Sequence, residues 1–130
     1  MTINGDGSYN YIVPNRSFYI ISTQLGNVRK VLLDERGNVI RRMRIDPDGI
    51  DKNAYGFINP LLVDPKDHQT LYLPAGKKIG RFNRIDQLEV VNSTSKLKAG
   101  WFFLDTISTA NYSSNGTVVS AMITAIAMSR

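Results

Sequence analysis

The chain of 130 residues contains no cysteine. Disulfide frameworks, cysteine-ligated zinc and thiol catalysis are therefore excluded. Its one histidine, His68, removes every site that needs two imidazoles. No apolar run approaches the roughly 18 residues of a membrane-spanning helix, so no membrane span is expected. Clean helical spacing of apolar residues over 11 or more positions is missing as well, which argues against amphipathic helices. Hydrophobic residues make up 42% and charged residues 21%. Those values are those of an ordinary folded domain, so disorder is not expected.

The charge balance is 16 Lys plus Arg against 11 Asp plus Glu, or +5. The positives concentrate at Arg29, Lys30, Arg36, Arg41, Arg42 and Arg44, then at Lys77, Lys78, Arg81 and Arg84. The plain reading is the solvated face of two hairpins. Nucleic-acid binding favours aromatics interleaved with the bases, and only Phe82 stands among them. Nucleic acid is not an expected partner.

Short β-rich runs recur between turn signals, which predicts a nearly all-β chain. Strands are expected at 17–23, 28–33, 39–45, 57–64, 70–73, 78–85 and 101–104, with 88–91 as a continuation and 117–128 as a closing strand or broken pair. At least seven strands and almost no helix follow. Asp34-Glu35-Arg36-Gly37-Asn38 fits a type I turn with glycine in the left-handed position. Pro60 lacks an amide donor, so its strand is expected at an edge or to be irregular. Residues 92–100 and 108–116 read as polar connections. The run Ile123 to Met128 is strand-like and stands two residues from the end, which leads to the expectation of a fragment. The first ten residues carry no basic-then-apolar leader pattern.

Two stretches echo each other. Phe18 to Thr23 leads through a glycine turn into Val28 to Asp34; Leu71 to Gly76 leads into Ile79 to Asp86. Tyr19 aligns with Tyr72 and Asp34 with Asp86. A second echo links Ile58–Pro65 with Ile123–Arg130. A period near 50 with four strands per unit is a sign of propeller blades, and such units need neighbours to bury their faces.

The run Phe57-Ile58-Asn59-Pro60-Leu61-Leu62-Val63-Asp64-Pro65-Lys66-Asp67, followed by Thr70-Leu71-Tyr72-Leu73-Pro74-Ala75-Gly76-Lys77-Lys78-Ile79, resembles a blade of the sortilin-like and BNR (Asp-box) β-propellers. More narrowly it resembles exported propeller proteins of Bacteroidetes and xyloglucanase-like glycoside hydrolases. Trp101 after Gly100 matches the tryptophan opening a blade's last strand, and Ile123 to Ser129 the inner strand of the next blade. The resemblance spans 17–130. It implies an all-β chain of antiparallel four-stranded blades: an N-terminal extension at 1–16, a partial blade at 17–53, a blade at 54–116 and the first strand of another at 117–130. The Asp-box pattern itself is absent, with Arg84-Ile85-Asp86-Gln87-Leu88 in its place.

The resemblance also implies a secreted or cell-surface location, with the export signal outside this chain, and a scaffold or binding surface for protein or glycan. The enzymatic alternative is part of a glycoside hydrolase whose site lies mostly elsewhere. Hydrolysis needs two facing carboxyl groups. The aspartates here mostly flank Pro or Gly, where Asp caps its own backbone; Asp105 is the least turn-like. No catalytic set is assigned. A third reading is a self-contained small β-sandwich. Asp46-x-Asp48-Gly49-x-Asp51 lacks the spacing and closing glutamate of a calcium loop, so no metal and no cofactor is expected. Tyr55, Tyr112 and Trp101 are the candidate ligand-binding residues, as rings that could stack on sugars. Tyr55 and Tyr112, beside loops, are expected to be exposed, whereas Trp101 also suits a packed core. The Asn-x-Ser/Thr sites at Asn15, Asn92, Asn111 and Asn115 read as loop markers.

Overall fold

The computed structural model describes residues 8–108, 111–120 and 122–129. Among them ten strands form: β1 (Asn10–Ile12), β2 (Phe18–Ser22), β3 (Val28–Leu33), β4 (Val39–Arg44), β5 (Leu62–Val63), β6 (Leu71–Ala75), β7 (Lys78–Phe82), β8 (Trp101–Ser108), β9 (Asn111–Ser114) and β10 (Thr117–Ser120). Strands β1 to β4 make one antiparallel sheet in chain order, β5 to β8 make a second, and β9 and β10 form a hairpin. Helical residues among those described are two three-residue 3-10 turns, Gln24–Gly26 and Lys52–Ala54. The all-β expectation holds as two four-stranded antiparallel sheets.

Several boundaries differ from the sequence reading. β1 lies in the segment taken as an extension, and it gives the first sheet a fourth strand. The expected strand 57–64 contracts to Leu62–Val63. Pro60 explains the loss, because its missing donor leaves the ladder unable to start earlier. A side chain replaces the ladder there: Asn59, fully buried, accepts from the Gly56 amide at 3.0 Å and donates to the Pro74 carbonyl at 2.8 Å. The 88–91 run forms no strand, β8 is longer than expected, and the loop expected over 108–116 carries β9. The closing strand ends at Ser120, with 122–129 irregular.

The turn at 34–38 forms as the residues dictate. Gly37 has φ +84°, and the Gly37 amide donates to the Asp34 carbonyl at 2.9 Å. The Asp34 carboxylate accepts from the Arg36 and Asn38 amides. Only glycine takes such a φ without strain.

Alternation divides each sheet into two faces. In the first sheet Phe18, Ile20, Val28, Met43 and Ile45 point inward; in the second, Leu71, Leu73, Ala75 and Phe82 do so. All belong to one hydrophobic cluster. Fully burying side chains such as Ile20, Ile45 and Leu73 stabilises by about 1.5–3 kcal/mol each.

The hydrogen-bond phase shows which faces meet. In a strand of L-residues the side-chain face is locked to the side toward which N–H and C=O point. In β2 the inward residues bond toward the first strand: Phe18 accepts from Val13 at 3.3 Å, and Ser22 donates to Tyr9 at 2.8 Å. In the β6 segment the odd-numbered positions, which are the inward ones, bond toward the third strand. There Gln69 accepts from Ile85 at 2.7 Å, while the even-numbered Thr70 accepts from Asp64 at 2.8 Å. The two meanders therefore meet through opposite faces, in tandem, rather than through like faces about a two-fold axis. It follows that Tyr19 and Tyr72 are not equivalent: Tyr19 aims its backbone at β3 and Tyr72 at β5. Their sequence echo is one residue out of structural phase.

Three ties join the sheets. Segment 93–97 runs parallel beside β4, through Met43–Ser93 and Pro47–Leu97 bridges, and covers an edge that would otherwise stay unpaired. The Trp101 indole donates to the Ile45 carbonyl at 2.7 Å. Lys30 was expected on a solvated face, but it is 2% exposed. Its ammonium donates to the Ile85 and Leu88 carbonyls at 2.7 and 2.8 Å and stands 4.4 Å above the Phe18 ring. A lysine on the inward face must find such acceptors or stay out of the core.

Candidate functional site

Of the three sequence-predicted ligand residues, Tyr55 departs furthest from its expected setting. It follows the 3-10 turn at Lys52–Ala54 and is 3% exposed, not open at a loop. Its ring lies flat against Gly26, where a Cβ would stand 2.3 Å from the ring carbons. Burial raises its phenol above the ordinary value, with the Asp46 carboxylate adding to the effect. No stacking face is left for a sugar. Trp101 is half-buried, set edge-on to Phe82 with ring centroids 5.5 Å apart. Gly80 makes its room: a Cβ there would stand 3.2 Å from the indole and 3.4 Å from the Phe103 ring. Tyr112 belongs to β9, and its side chain lies outside the described residues. Tyr55 and Trp101 pack against different partners, Gly26 and Phe82 respectively.

The turn aspartates bond their own backbone. Asp51 accepts from the Asn53 amide, Asp64 from Lys66, and Asp67 from Gln69, Thr70 and the Thr70 hydroxyl. At Asp67 partial burial opposes ionisation, but these donors and the neighbouring His68 together hold the carboxyl below its ordinary value. Asp46 is fully buried and held by Arg44, with Nε and Nη2 at 2.8 and 3.0 Å from its two oxygens. The bond to Asp46 raises the Arg44 guanidinium above its ordinary value against the effect of burial. No group of three or more metal-ligating side chains occurs among the described residues. His68, with φ +55°, bonds the Tyr11 hydroxyl through Nδ1 and stacks on its ring. Burial, then Asp67, raises the Tyr11 phenol.

Among the described residues, a cluster of arginines lies on the outer face of the first sheet. Val31 pairs with Arg42, and Arg29 pairs with Arg44, so three arginines share one face on adjacent strands. Arg44 is satisfied by Asp46. Arg29 and Arg42 form no ion pair among the described residues, and the Arg29 Nε is buried without a hydrogen-bond partner. Both line an open cleft of about 420 Å³ with Asn92, Ser93 and Thr94. The crossover segment brings these three polar residues to β4: the Arg44 amide donates to the Ser93 carbonyl at 3.0 Å, and Asn92 Oδ1 accepts from the Arg42 amide at 3.3 Å. The cleft wall thus offers two cationic forks and several neutral hydrogen-bonding groups.

This cleft was not legible in the sequence. Arg29 and Arg42 are 13 positions apart, and nothing marks them as neighbours without the β3–β4 register. Asn92 to Thr94 reads as a loop and a glycosylation pattern. The parallel bridge that carries it to Arg42 has no local signal.

A second surface is apolar. The outer face of the second sheet presents Leu62, Tyr72, Ile79 and Leu104, beside the Arg81 side chain. Ile126, Ala127 and Met128 run beside it and border a groove of about 290 Å³. The Ile123 amide anchors this segment on the Gly76 carbonyl at 3.0 Å. Phe102, on the same face, is 60% exposed.

No protein-family model, no curated protein and no solved structure matches this chain.

Proposed function

We propose that this chain is a propeller-type repeat module of an exported or cell-surface protein: two consecutive four-stranded blades serving as a scaffold that presents a binding surface to a protein or glycan. The observation that carries the reading is the tandem stacking of the two meanders through opposite faces. Successive blades related by rotation must pack in that way, whereas a two-fold sandwich joins like faces. The stack also leaves an unfilled position. The outer face of the second sheet is the counterpart of the inner face of the first, which is covered. It carries Leu62, Tyr72, Ile79, Phe102 and Leu104, as a face awaiting a further sheet would. The resemblance of residues 57–79 to propeller blades agrees with this placement; segment 122–129, which forms no strand, runs beside the same face. The extracellular location rests on that resemblance.

Sedimentation velocity over a hundredfold range of concentration tests the reading. An apolar sheet face that segment 126–128 covers only in part, with Phe102 60% exposed, drives association, so the chain should self-associate. Tyr72→Glu with Phe102→Glu should return it to monomer with its β-sheet circular dichroism intact. A wild-type chain that stays monomeric and highly stable throughout would mean a self-contained sandwich and would sink the proposal.

A further inference from the structure

The cleft on the outer face of the first sheet carries two positive charges for which no counter-ion stands among the described residues. Like charges on neighbouring strand positions repel, and Asp46 relieves Arg44 alone. The Arg29 Nε is enclosed in the protein without a partner, so the outer nitrogens of its guanidinium are the donors left for a bound acceptor. Guanidinium groups meet planar or tetrahedral oxyanions through paired N–H donors. The remaining lining, Asn92, Ser93 and Thr94, presents amide and hydroxyl groups and no apolar side chain. That wall suits the hydroxyls of a sugar ring. The volume, about 420 Å³, is far larger than a lone ion requires.

We infer that Arg29 and Arg42, with Asn92, Ser93 and Thr94, form a binding site for an oxyanion carried on a sugar, a carboxylate or sulfate group of an acidic glycan. Arg29 and Arg42 hold the anionic group; Asn92, Ser93 and Thr94 bond the adjoining hydroxyls. Arg44, directly opposite Arg29, stays engaged with Asp46 and keeps the cationic strip from extending toward the core. The inference deepens the reading of the chain as a binding scaffold: it rests on that reading for the glycan class of the partner, and it requires the β4 edge beside segment 92–94 to stay open next to any neighbouring blade.

Amide chemical-shift titration tests it, with sodium sulfate, a tetragalacturonate, the neutral cellotetraose and a glutamate tetrapeptide as probes at matched ionic strength. Saturable shifts are expected at Arg29, Arg42, Ser93 and Thr94 with sulfate, and tighter binding with tetragalacturonate. Cellotetraose and the glutamate peptide should bind more weakly than the uronate. Arg29→Gln and Arg42→Gln should each weaken uronate binding about tenfold, as the loss of one charge-assisted contact implies. Asn92→Ala should weaken the uronate while leaving sulfate unchanged; this variant and Arg42→Gln carry the test if Arg29→Gln fails to fold. Non-saturating shifts over the whole basic surface would overturn the site. Sulfate binding without a gain for the uronate, or a glutamate peptide that binds as tightly, would overturn the glycan assignment. The sedimentation experiment on the second sheet touches none of these residues, so failure of the scaffold reading and of the anion site can be told apart.

Discussion

Replacing Lys30 by methionine removes a charge from between the sheets while keeping most of the apolar stem. In the wild type Nζ donates to two carbonyls of the 85–88 turn, at 2.7 and 2.8 Å, and covers the Phe18 ring. Methionine leaves both carbonyls without that donor, and a buried unpaired acceptor costs about 1–3 kcal/mol. The lost cation–ring contact adds about 0.5–2 kcal/mol. Against this, the ammonium no longer has to be desolvated. That penalty is visible in the wild type, where burial pulls the Lys30 ammonium below its ordinary value, with Asp86 acting in the opposite sense. The net expectation is a loss of about 2 kcal/mol, because the acceptors are stranded while the desolvation relief returns only part of the cost. In urea this moves the unfolding midpoint down by about 1 M with the slope unchanged. The pH dependence has a definite sign. A lysine whose folded value is depressed binds fewer protons folded than unfolded, so stability rises with pH between that value and the unfolded value near 10.5. The gap between wild type and Lys30→Met should therefore widen over that interval. A loss under about 0.5 kcal/mol, or a gap that narrows with rising pH, would refute the assignment of Lys30 as the tie between the sheets.

Gly26→Ala should destabilise by about 2 kcal/mol or more, because Gly26 has φ +70° and the new Cβ meets the Tyr55 ring; thermal unfolding reads the loss, whereas Gly37→Ala, with open space around it, should show the φ cost alone. Trp101→Phe should cost about 1–3 kcal/mol by stranding the Ile45 carbonyl, with faster amide exchange expected where β8 meets the first sheet. Asp67 has a folded value below its ordinary 3.8, so its contribution is present above that value and lost as pH falls toward the folded one. Denaturation curves of wild type and Asp67→Asn should accordingly differ at pH 6 and converge in strong acid.

The strands that alternate cleanly were legible in the sequence. Val28 to Leu33 is read at its observed bounds, and β2, β4, β6 and β7 lie within two or three residues of theirs, because β-branched runs and Gly or Asp turns act locally. What escaped depends on distant partners. Asn10–Ile12, three residues long and ahead of the Pro14 turn, is too short to signal a strand until β2 offers its edge. The polar run Ser93–Leu97 pairs with β4 only because the crossover passes that edge. Tyr55 stands beside a loop in sequence, yet Gly26, 29 residues earlier, makes the gap that buries it. Lys30 carries the same lesson for charge. Composition assigns lysine to water, whereas alternation places it inward, and the carbonyls of a turn 55 positions away hold it there. The anion cleft is legible only once register and crossover are both known.

The two meanders meet through opposite faces, and scalar couplings across hydrogen bonds test that most directly. The observed phase requires couplings from the Ser22 amide to the Tyr9 carbonyl, from Thr23 to Asn27, from Asp64 to Thr70 and from Ile85 to Gln69. The Trp101 indole should likewise couple to the Ile45 carbonyl. Detection of all five places Phe18 and Leu71 on opposite faces of their sheets and leaves the tandem stack intact. Couplings that instead link the odd-numbered residues of β6 to β5 would turn the second sheet over, make the pair a like-faced sandwich, and contradict the propeller-type reading.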